Sequence, residues 1–264
     1  MKPVTITTLR ELKQAGQKIT CLTAYDYSFA SLLDRAGLDA IMVGDSLGMT
    51  MQGHASTLPV SIDDMAYHCA CVARGVTRAL IIGDMPFGSY QVSPEQAFEN
   101  AAILMQSGAQ VVKLEGGAPM AETVRFLVER GIPVCAHLGL TPQSVHQLGG
   151  YRVQGREAEA AQRLRDDAKR LQAAGASLLV LEAVPAALAK VISAELAIPT
   201  IGIGAGPDAD GQVLVLQDML GLYPRPSPKF SRNFMQGAES IEAAVKAYVE
   251  AVRNKTFPGP EHSY

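Results

Sequence analysis

The sequence contains no tryptophan, no long apolar segment and no run of basic residues. No stretch approaches the roughly 18 uninterrupted apolar residues that a membrane-spanning helix needs. The N-terminal segment is polar where a signal peptide would have an apolar core. A formal net charge of -3 without a basic patch gives no attraction to phosphate backbones. We therefore expect a cytoplasmic protein whose partners include neither a membrane nor a nucleic acid.

Cysteine occurs only four times, which argues against a disulfide scaffold. Cys21 and Cys135 lie singly in apolar segments, and Cys69 is separated from Cys71 by one residue in a helical pattern. The side chains of Cys69 and Cys71 would then point about 200° apart around the helix axis. Neither a zinc site nor a disulfide fits this spacing. We expect four buried, reduced thiols.

The rest of the composition is typical of a large globular domain. Apolar residues make up 48% and charged residues 19% of the 264 residues, enough to bury an extensive core. Short β-branched runs alternate with longer segments of helical periodicity, which indicates a parallel sheet built from βα units. The apolar runs are Ile19–Thr23, Ala40–Val43, Ala79–Ile82, Gln110–Leu114, Pro133–Ala136, Ser177–Leu181, Pro199–Ile203 and Gln212–Leu216. The helical segments between them are Ser28–Arg35, Ile62–Arg74, Pro94–Gln106, Met120–Glu129, Glu157–Ala174 and Ala186–Leu196.

This number of units predicts a closed barrel rather than an open sheet. The first run is not followed by the glycine fingerprint of a dinucleotide-binding sheet, and units of roughly 25 to 30 residues are typical of a (β/α)8 barrel. We predict one α/β domain over residues 1–264 with this TIM-barrel architecture and additional helices at both termini. The segment Ser231–Arg253 is amphipathic, and we expect a helix there that packs on a neighbouring subunit.

Acidic residues follow several of the predicted strands. Asp45, Asp84 and Glu182 stand at the ends of three runs, and Glu115 follows a fourth that also carries Lys113. In such barrels the carboxyl ends of the strands hold the active site. Lys113 and Glu115 share one face of their strand because side chains alternate, and neither suits the apolar helix layer. We therefore expect both to point into the barrel mouth.

Each of these residues also has a purely structural interpretation. Asp45 or Asp84 alone could close a turn or cap a helix, and His137, which follows the fifth run, could be a core histidine. Together, however, four carboxylates and one lysine would leave an uncompensated negative charge, which is costly in a partly buried site. A divalent cation would offset that charge, and an oxygen-only ligand set favours Mg²⁺ or Mn²⁺ over zinc.

Two further segments each allow more than one interpretation. The glycine-rich stretch Gly202–Gly206 matches no phosphate-binding motif, and Asp208 and Asp210 follow it. We favour close backbone packing or a tight turn there over a phosphate site. The long segment Gly139–Arg156 contains two adjacent glycines. It is either a loop that closes over a ligand or an ordinary exposed loop or subunit contact.

Several long motifs, independent of one another, are spread over nearly the whole chain. They are Thr23-Ala24-Tyr25-Asp26, Val43–Met49, Gly53-His54, Ser56–Val60, Lys113–Gly117, His137–Gln143 and Ile201–Gly206. These motifs closely resemble those of the ketopantoate hydroxymethyltransferases (3-methyl-2-oxobutanoate hydroxymethyltransferases). The resemblance implies a barrel of the phosphoenolpyruvate/pyruvate type, a role in pantothenate biosynthesis and assembly into a homodecamer.

The resemblance also implies the reaction, which is transfer of a hydroxymethyl group from 5,10-methylenetetrahydrofolate to 3-methyl-2-oxobutanoate. By position, Asp45 and Asp84 would ligate Mg²⁺, with Glu115 completing the set directly or through water. The residues implied to hold the keto acid are Asp45, Ser46, Asp84, Lys113 and His137, and the implied proton acceptor is Glu182. The segment Gly88–Ser93 is slightly longer than the usual loop of the family, which leaves the contacts of that loop open.

Two other functions stay open at this point. A Mg²⁺-dependent lyase or phosphonomutase of the phosphoenolpyruvate type would share the acidic residues but use no folate. Such lyases are expected to carry a cysteine in a lid loop, and this sequence has none between Cys71 and Cys135 or beyond Cys135. A non-enzymatic binding barrel is the second alternative, and the clustered carboxylates argue against it.

Overall fold

A computed structural model describes residues 2–224 and 226–264 of the chain. Its strands are β1 (Ile19–Thr23), β2 (Ala40–Val43), β3 (Leu80–Asp84), β4 (Val111–Glu115), β5 (Val134–Gly139), β6 (Leu178–Glu182), β7 (Thr200–Ile203) and β8 (Gly211–Leu214). Its α-helices are α1 (Ile6–Gln14), α2 (Tyr27–Arg35), α3 (Leu47–Thr50), α4 (Ile62–Gly75), α5 (Pro94–Gln106), α6 (Ala121–Glu129), α7 (Val145–Leu148), α8 (Ala158–Ala173), α9 (Ala186–Glu195), α10 (Leu216–Met219) and α11 (Ile241–Arg253). Single-turn 3-10 helices cover Ala118–Met120, Pro142–Ser144 and Pro260–His262.

The strands form a closed parallel barrel in the order of the sequence. Each strand pairs with the next, and β8 pairs with β1, where Ile19 lies opposite Gly211. The predicted (β/α)8 architecture is confirmed, and every predicted run coincides with a strand to within three residues at either end. Strand β4 ends one residue later than predicted, so that Glu115 lies within the sheet, opposite His137 of β5.

Alternation along the strands divides the core into two layers. On β1, Cys21 packs inside the barrel, whereas Leu22 packs against the surrounding helices. On β4, Val111 belongs to the inner layer. Because residues two apart share a face of a strand, the inward row of β4 continues from Val111 to Lys113 and Glu115. This alternation carries both charged side chains into the barrel mouth, as the sequence predicted.

Helix α1 lies at the amino ends of the strands, opposite the barrel mouth. Its Leu9 and the preceding Val4 are buried together with Ile19, at the amino end of β1. The Thr5 hydroxyl caps the helix by accepting a hydrogen bond from the Thr8 N–H at 3.2 Å. The apolar packing therefore covers the amino ends of the strands, and the large cavity described below lies at their carboxyl ends.

The C-terminal amphipathic helix is shorter than predicted. Helix α11 begins at Ile241, with Ser240 as its cap, and the ten residues before Ile241 are turns and irregular chain rather than the predicted helix. Its apolar face is buried against β1 and α2 of the same chain, and packing on a neighbouring subunit stays a prediction. The Tyr248 hydroxyl donates to the carbonyl of Cys21 or of Gln212, at 2.9 and 3.0 Å.

The cysteines are free thiols, as predicted, but they are not all buried. Cys21, Cys69 and Cys135 are buried, whereas Cys71 is partly exposed on α4. Burial raises the pKa of the Cys69 and Cys135 thiols to about 12, so both are protonated at neutral pH.

None of the helices in the described part of the chain combines the length and the apolar character that a membrane span requires.

One buried carboxylate, Asp34 on α2, holds the connection between α4 and β3. It accepts hydrogen bonds from the backbone N–H groups of Thr77 (2.9 Å), Arg78 (3.1 Å) and Ala79 (2.7 Å), and from the Thr77 hydroxyl (2.8 Å). Burial alone would raise the pKa of Asp34, but these donors outweigh it and lower the pKa below the ordinary value of 3.8. The ionised form is therefore the one that stabilises the fold.

We expect Asp34→Ala to lower the free energy of unfolding by about 3 kcal/mol at neutral pH, because three backbone donors lose their acceptor. The unfolded chain binds the Asp34 proton more readily than the folded chain does, so this contribution is present above the ordinary pKa and is lost as the pH falls. Urea unfolding at neutral pH and in acid measures both effects. The exposed Asp63→Ala is the control, and an equal effect of the two variants would contradict the assignment.

Candidate active site

A cavity of about 880 Å³ opens at the carboxyl ends of the strands. The site residues that the sequence predicts all line it, namely Asp45, Ser46, Asp84, Lys113, Glu115, His137 and Glu182. They come from the turn after β2 and from the carboxyl-terminal halves of β3, β4, β5 and β6. The barrel topology thus brings together residues that are far apart in the sequence, at the end where such barrels hold their active sites.

Asp45, Asp84 and Lys113 form the most deeply buried part of this site. Lys113 Nζ lies 3.0 Å from Asp84 Oδ2, which also accepts a hydrogen bond from the Asp45 backbone N–H at 3.2 Å. Burial alone would lower the pKa of Lys113, but Asp84, Glu115 and Asp45 outweigh it and raise the pKa. Lys113 is therefore a permanent positive charge at the base of the cavity.

Lys113 does not fully balance the negative charges of Asp45 and Asp84. Burial, followed by the neighbouring charges of Asp84 and Glu115, raises the pKa of Asp45 to about 8. Burial also raises the pKa of Asp84, against the effect of Lys113. Asp84 Oδ1 is buried and has no hydrogen-bond partner within residues 2–224 and 226–264. A cation bound at this buried carboxylate oxygen would supply the partner that it lacks.

These two carboxylates fit a magnesium ion. Mg²⁺ keeps several waters and commonly takes only one or two carboxylates from the protein, with the rest of its ligands from the substrate. Among the described residues, no three His, Cys, Asp or Glu side chains are gathered closely enough to hold a metal together. Asp45 and Asp84 could supply these two carboxylates, because Asp84 Oδ1 has no partner among the described residues, whereas both oxygens of Glu115 already face protein groups.

Glu115 is occupied by protein groups on both oxygens. Its Oε2 accepts a hydrogen bond from the Gln143 backbone N–H at 3.0 Å, and its Oε1 lies 3.4 Å from His137 Nδ1 and 3.8 Å from Lys113 Nζ. Burial alone would raise the pKa of Glu115, but His137, Lys113 and the Gln143 N–H lower it. Glu115 is therefore an ionised partner of two cationic side chains.

His137 stands between Glu115 and Glu182. Its Nε2 lies 3.4 Å from Glu182 Oε2, on the opposite side of the ring from Glu115, although neither nitrogen is aligned for a hydrogen bond. Burial alone would lower the pKa of His137, but the two glutamates outweigh it and raise the pKa to about 9. His137 thus carries a proton at neutral pH and links the two carboxylates electrostatically. Although buried, it lines the cavity together with both glutamates.

Ser46 follows Asp45 and begins the short helix α3. Its Oγ shares a hydrogen bond of 2.8 Å with the Tyr25 hydroxyl, which lies in the turn after β1. Burial raises the pKa of Tyr25 to about 12, so its phenol is neutral and can donate to Ser46. Ser46 therefore has a fixed orientation at the edge of the cavity, beside the two aspartates.

Two residues that the sequence analysis did not assign to the site, Gln143 and Tyr90, hold it in place. Gln143 Nε2 donates to Asp45 Oδ2 at 2.8 Å and to the Met85 carbonyl at 2.9 Å. The Tyr90 hydroxyl donates to Gln143 Oε1 at 2.6 Å, and the same hydroxyl oxygen accepts from the Glu115 N–H at 3.1 Å. Tyr90 lies in the segment Gly88–Ser93, so the longer loop contributes a buried anchor to the site. The motif ending at Gln143 was the available signal for this residue.

The outer wall of the cavity is mainly apolar and aromatic. Its lining side chains include Met49, Leu140, Tyr151, Val153, Ile203, Phe230 and Tyr264. Gly204 has a φ of +63°, and a Cβ there would lie 2.9 Å from the Phe230 ring. This agrees with the expected close backbone packing of the glycine-rich stretch. Tyr151, Arg152 and Arg156 bring the long segment after β5 to the cavity, beside the ligand space rather than away from it.

The comparisons with known proteins agree on one family. The family model of ketopantoate hydroxymethyltransferase matches residues 3–260. A 3-methyl-2-oxobutanoate hydroxymethyltransferase of Methylobacillus flagellatus is 67% identical over 257 residues, covering 97% of this chain and 98% of the relative. One from Thiobacillus denitrificans is 64% identical over 262 residues, covering 99% of this chain and 100% of the relative.

Solved structures agree on the fold. A putative phosphonomutase from Burkholderia cenocepacia J2315 superposes with a TM-score of 0.65 at 17% identity, covering 82% of this chain and 94% of that one. A 2,3-dimethylmalate lyase of the PEP mutase/isocitrate lyase superfamily gives 0.57 at 19% identity, with 81% of each chain covered. These likenesses show that the chain shares the barrel fold of these proteins. Because the family model and the similar relatives cover almost the full chain, this protein belongs to the ketopantoate hydroxymethyltransferase family.

Proposed function

We propose that this enzyme transfers a hydroxymethyl group from 5,10-methylenetetrahydrofolate to 3-methyl-2-oxobutanoate, giving 2-dehydropantoate for pantothenate biosynthesis. The observation that carries the proposal is the buried Asp45–Asp84 pair beside Lys113, with Glu182 on the wall of the same cavity. The curated relatives named for this reaction support it. The reaction requires removal of a proton next to a ketone, attack of the enolate on the one-carbon unit, and consumption of one water, which supplies the hydroxyl as tetrahydrofolate leaves.

Asp45 and Asp84 would hold Mg²⁺ in this proposal, with Glu115 attached through water. When bound, Mg²⁺ supplies Lewis-acid polarisation of the keto oxygen, which makes the neighbouring C–H bond more acidic. The unpartnered Asp84 Oδ1 and the raised pKa of Asp45 support a cation at this position. Gln143 keeps Asp45 in its orientation through the 2.8 Å hydrogen bond.

The protein side chains divide the remaining work between binding and proton transfer. Lys113 supplies a fixed positive charge toward which the negative charge of the enolate can develop. Ser46 offers a hydroxyl for the keto acid, and its orientation is set by Tyr25. Glu182 removes the proton from C3, because the metal-site aspartates are committed to the cation and Glu115 is committed to His137 and Gln143. His137 lies near the substrate, and its Nε2 contacts Glu182 Oε2 at 3.4 Å.

The direct experiment is turnover of 3-methyl-2-oxobutanoate with and without methylenetetrahydrofolate. We expect product only when the folate is present, and loss of activity when EDTA removes the metal, with recovery on adding Mg²⁺. Equal rates with low concentrations of formaldehyde alone would contradict a dedicated folate donor. Near-normal activity in EDTA would contradict the metal.

A lyase or phosphonomutase activity is the second candidate, because the structurally similar proteins include a putative phosphonomutase and a 2,3-dimethylmalate lyase. At 14–19% identity that resemblance concerns the barrel alone. Such lyases are expected to carry a cysteine in a lid loop, and the absence of a cysteine between Cys71 and Cys135 or beyond Cys135 disfavours this activity. Assay of carbon–carbon or carbon–phosphorus bond cleavage without folate distinguishes the two functions.

The assembly, the compartment and the domain count stay predictions. We propose a cytoplasmic homodecamer of single-domain subunits over residues 1–264, on the family resemblance. Exposed apolar side chains at Tyr67 on α4 and at Phe87 and Val92 in the loop after β3 are compatible with subunit contacts. Light scattering of the purified enzyme measures the oligomeric mass, and a monomer would contradict the proposed assembly.

A further inference from the structure

Asp218 is a buried carboxylate that the roles above do not use. It lies on α10, which follows β8, and its side chain lines the large cavity. Only 7% of the residue is exposed. Within residues 2–224 and 226–264, its Oδ1 is buried and has no hydrogen-bond partner. Such an acceptor is uncommon in a folded protein and is expected where a ligand completes it.

The backbone around Asp218 is anchored on both sides. The Leu216 N–H donates to the Thr23 hydroxyl at 3.0 Å, and the Met219 carbonyl accepts from the Phe234 N–H at 2.8 Å. The side chain therefore cannot easily leave the cavity wall for solvent. Burial raises the pKa of Asp218 to about 6, so it is largely ionised at neutral pH. Among the described residues, no donor therefore reaches the buried Oδ1 of this carboxylate.

The surroundings of Asp218 indicate the shape and chemistry of the missing partner. Apolar groups of Val213, Val215 and Phe230 line the same cavity, and the Tyr223 hydroxyl there is also buried without a partner in the described part of the chain. A flat ring with N–H groups on one edge could donate hydrogen bonds to Asp218 and pack its faces against these apolar groups. The keto acid does not, because its carboxylate and carbonyl oxygens only accept hydrogen bonds and would be repelled by Asp218.

We propose that Asp218 binds the pterin ring of the folate donor, accepting hydrogen bonds from its N3–H and its 2-amino group. This inference rests on the proposed use of methylenetetrahydrofolate. The two N–H groups of that ring edge point the same way, so one carboxylate can accept both in a bidentate pair. The metal site and Glu182 would then act on the keto acid, while Asp218 holds the ring of the one-carbon donor in the same cavity.

The test compares Asp218→Asn with wild-type enzyme. The substitution keeps the size of the side chain but replaces one acceptor oxygen with a donor. We expect the KM for methylenetetrahydrofolate and the Kd for tetrahydrofolate to rise by at least about tenfold. The KM for the keto acid and the folate-independent exchange of its C3 hydrogen should change by less than about twofold. The exposed Asp208→Asn is the control and should leave all four quantities unchanged.

A folate analogue identifies the contact itself. The wild type should bind 2-desamino-2-methyl-tetrahydrofolate at least about tenfold more weakly than tetrahydrofolate, whereas Asp218→Asn should lose most of this discrimination. Thermal unfolding checks that the variant is folded. Wild-type turnover with folate but unchanged affinity in Asp218→Asn would overturn this inference and leave the proposed function intact. A wild type that neither binds tetrahydrofolate nor uses its methylene form would overturn both.

Discussion

Asp84→Asn is expected to reduce turnover of the keto acid by more than about 100-fold while leaving the barrel folded. Asp84 Oδ2 lies 3.0 Å from Lys113 Nζ, and Oδ1 is the buried oxygen left for a cation. Asparagine has nearly the same size but no charge, so it can neither balance Lys113 nor serve as an anionic ligand. Metal affinity and keto-acid affinity should therefore fall together. Calorimetric titration with Mg²⁺, with and without the keto acid, measures both.

The matched control for Asp84→Asn is Asp208→Asn. Asp208 is also an aspartate near the carboxyl end of a strand, but it is exposed and paired with Lys190 on the surface. It should leave metal and substrate affinity unchanged. If Asp84→Asn bound Mg²⁺ and the keto acid as the wild type does, Asp84 would be only the counterion of Lys113. The cation would then have to be held elsewhere.

The architecture was predictable because the pattern of apolar residues repeats along the chain. Each β-branched run is long enough for a buried strand, and each is followed by a helical segment, which leaves few arrangements other than a parallel barrel. Alternation along β4 also predicted that Lys113 and Glu115 face inward. The same reasoning failed for the segment before Ile241, because an amphipathic pattern does not fix where a helix begins.

The fine structure of the site was harder to predict from sequence. Glu115 was expected to complete a three-carboxylate set, directly or through water. That role stays a prediction. The protein partners of Glu115 are the backbone N–H of Gln143 and the ring of His137, which the fold brings from other segments. The residue types of Gln143 and Tyr90 do not by themselves indicate a site residue, because these side chains act through hydrogen bonds to Asp45 and to each other. Such contacts follow from tertiary placement rather than local pattern.

Glu182→Gln is expected to remove proton transfer while leaving metal and keto-acid binding nearly unchanged. Glu182 ends β6 and lines the cavity, and its ion-pair partner among the described residues is His137, at 3.4 Å, rather than a residue of the metal pair. Glutamine keeps the side-chain length but cannot accept the C3 proton. General acid–base groups contribute about 10²- to 10⁴-fold, so exchange of the C3 hydrogen with solvent deuterium should fall by at least the lower figure. This exchange measures deprotonation without folate.

The competing base is His137, and the two assignments give opposite results. Burial opposes the charged form of His137, but Glu115 and Glu182 raise its pKa to about 9. It therefore already carries a proton at neutral pH and is unsuited to take another. Glu182→Asp is a useful companion variant, because it keeps the carboxylate while shortening its reach and should retain part of the exchange. If Glu182→Gln exchanged the C3 hydrogen at the wild-type rate, Glu182 would have only a structural role, and His137 would become the candidate base.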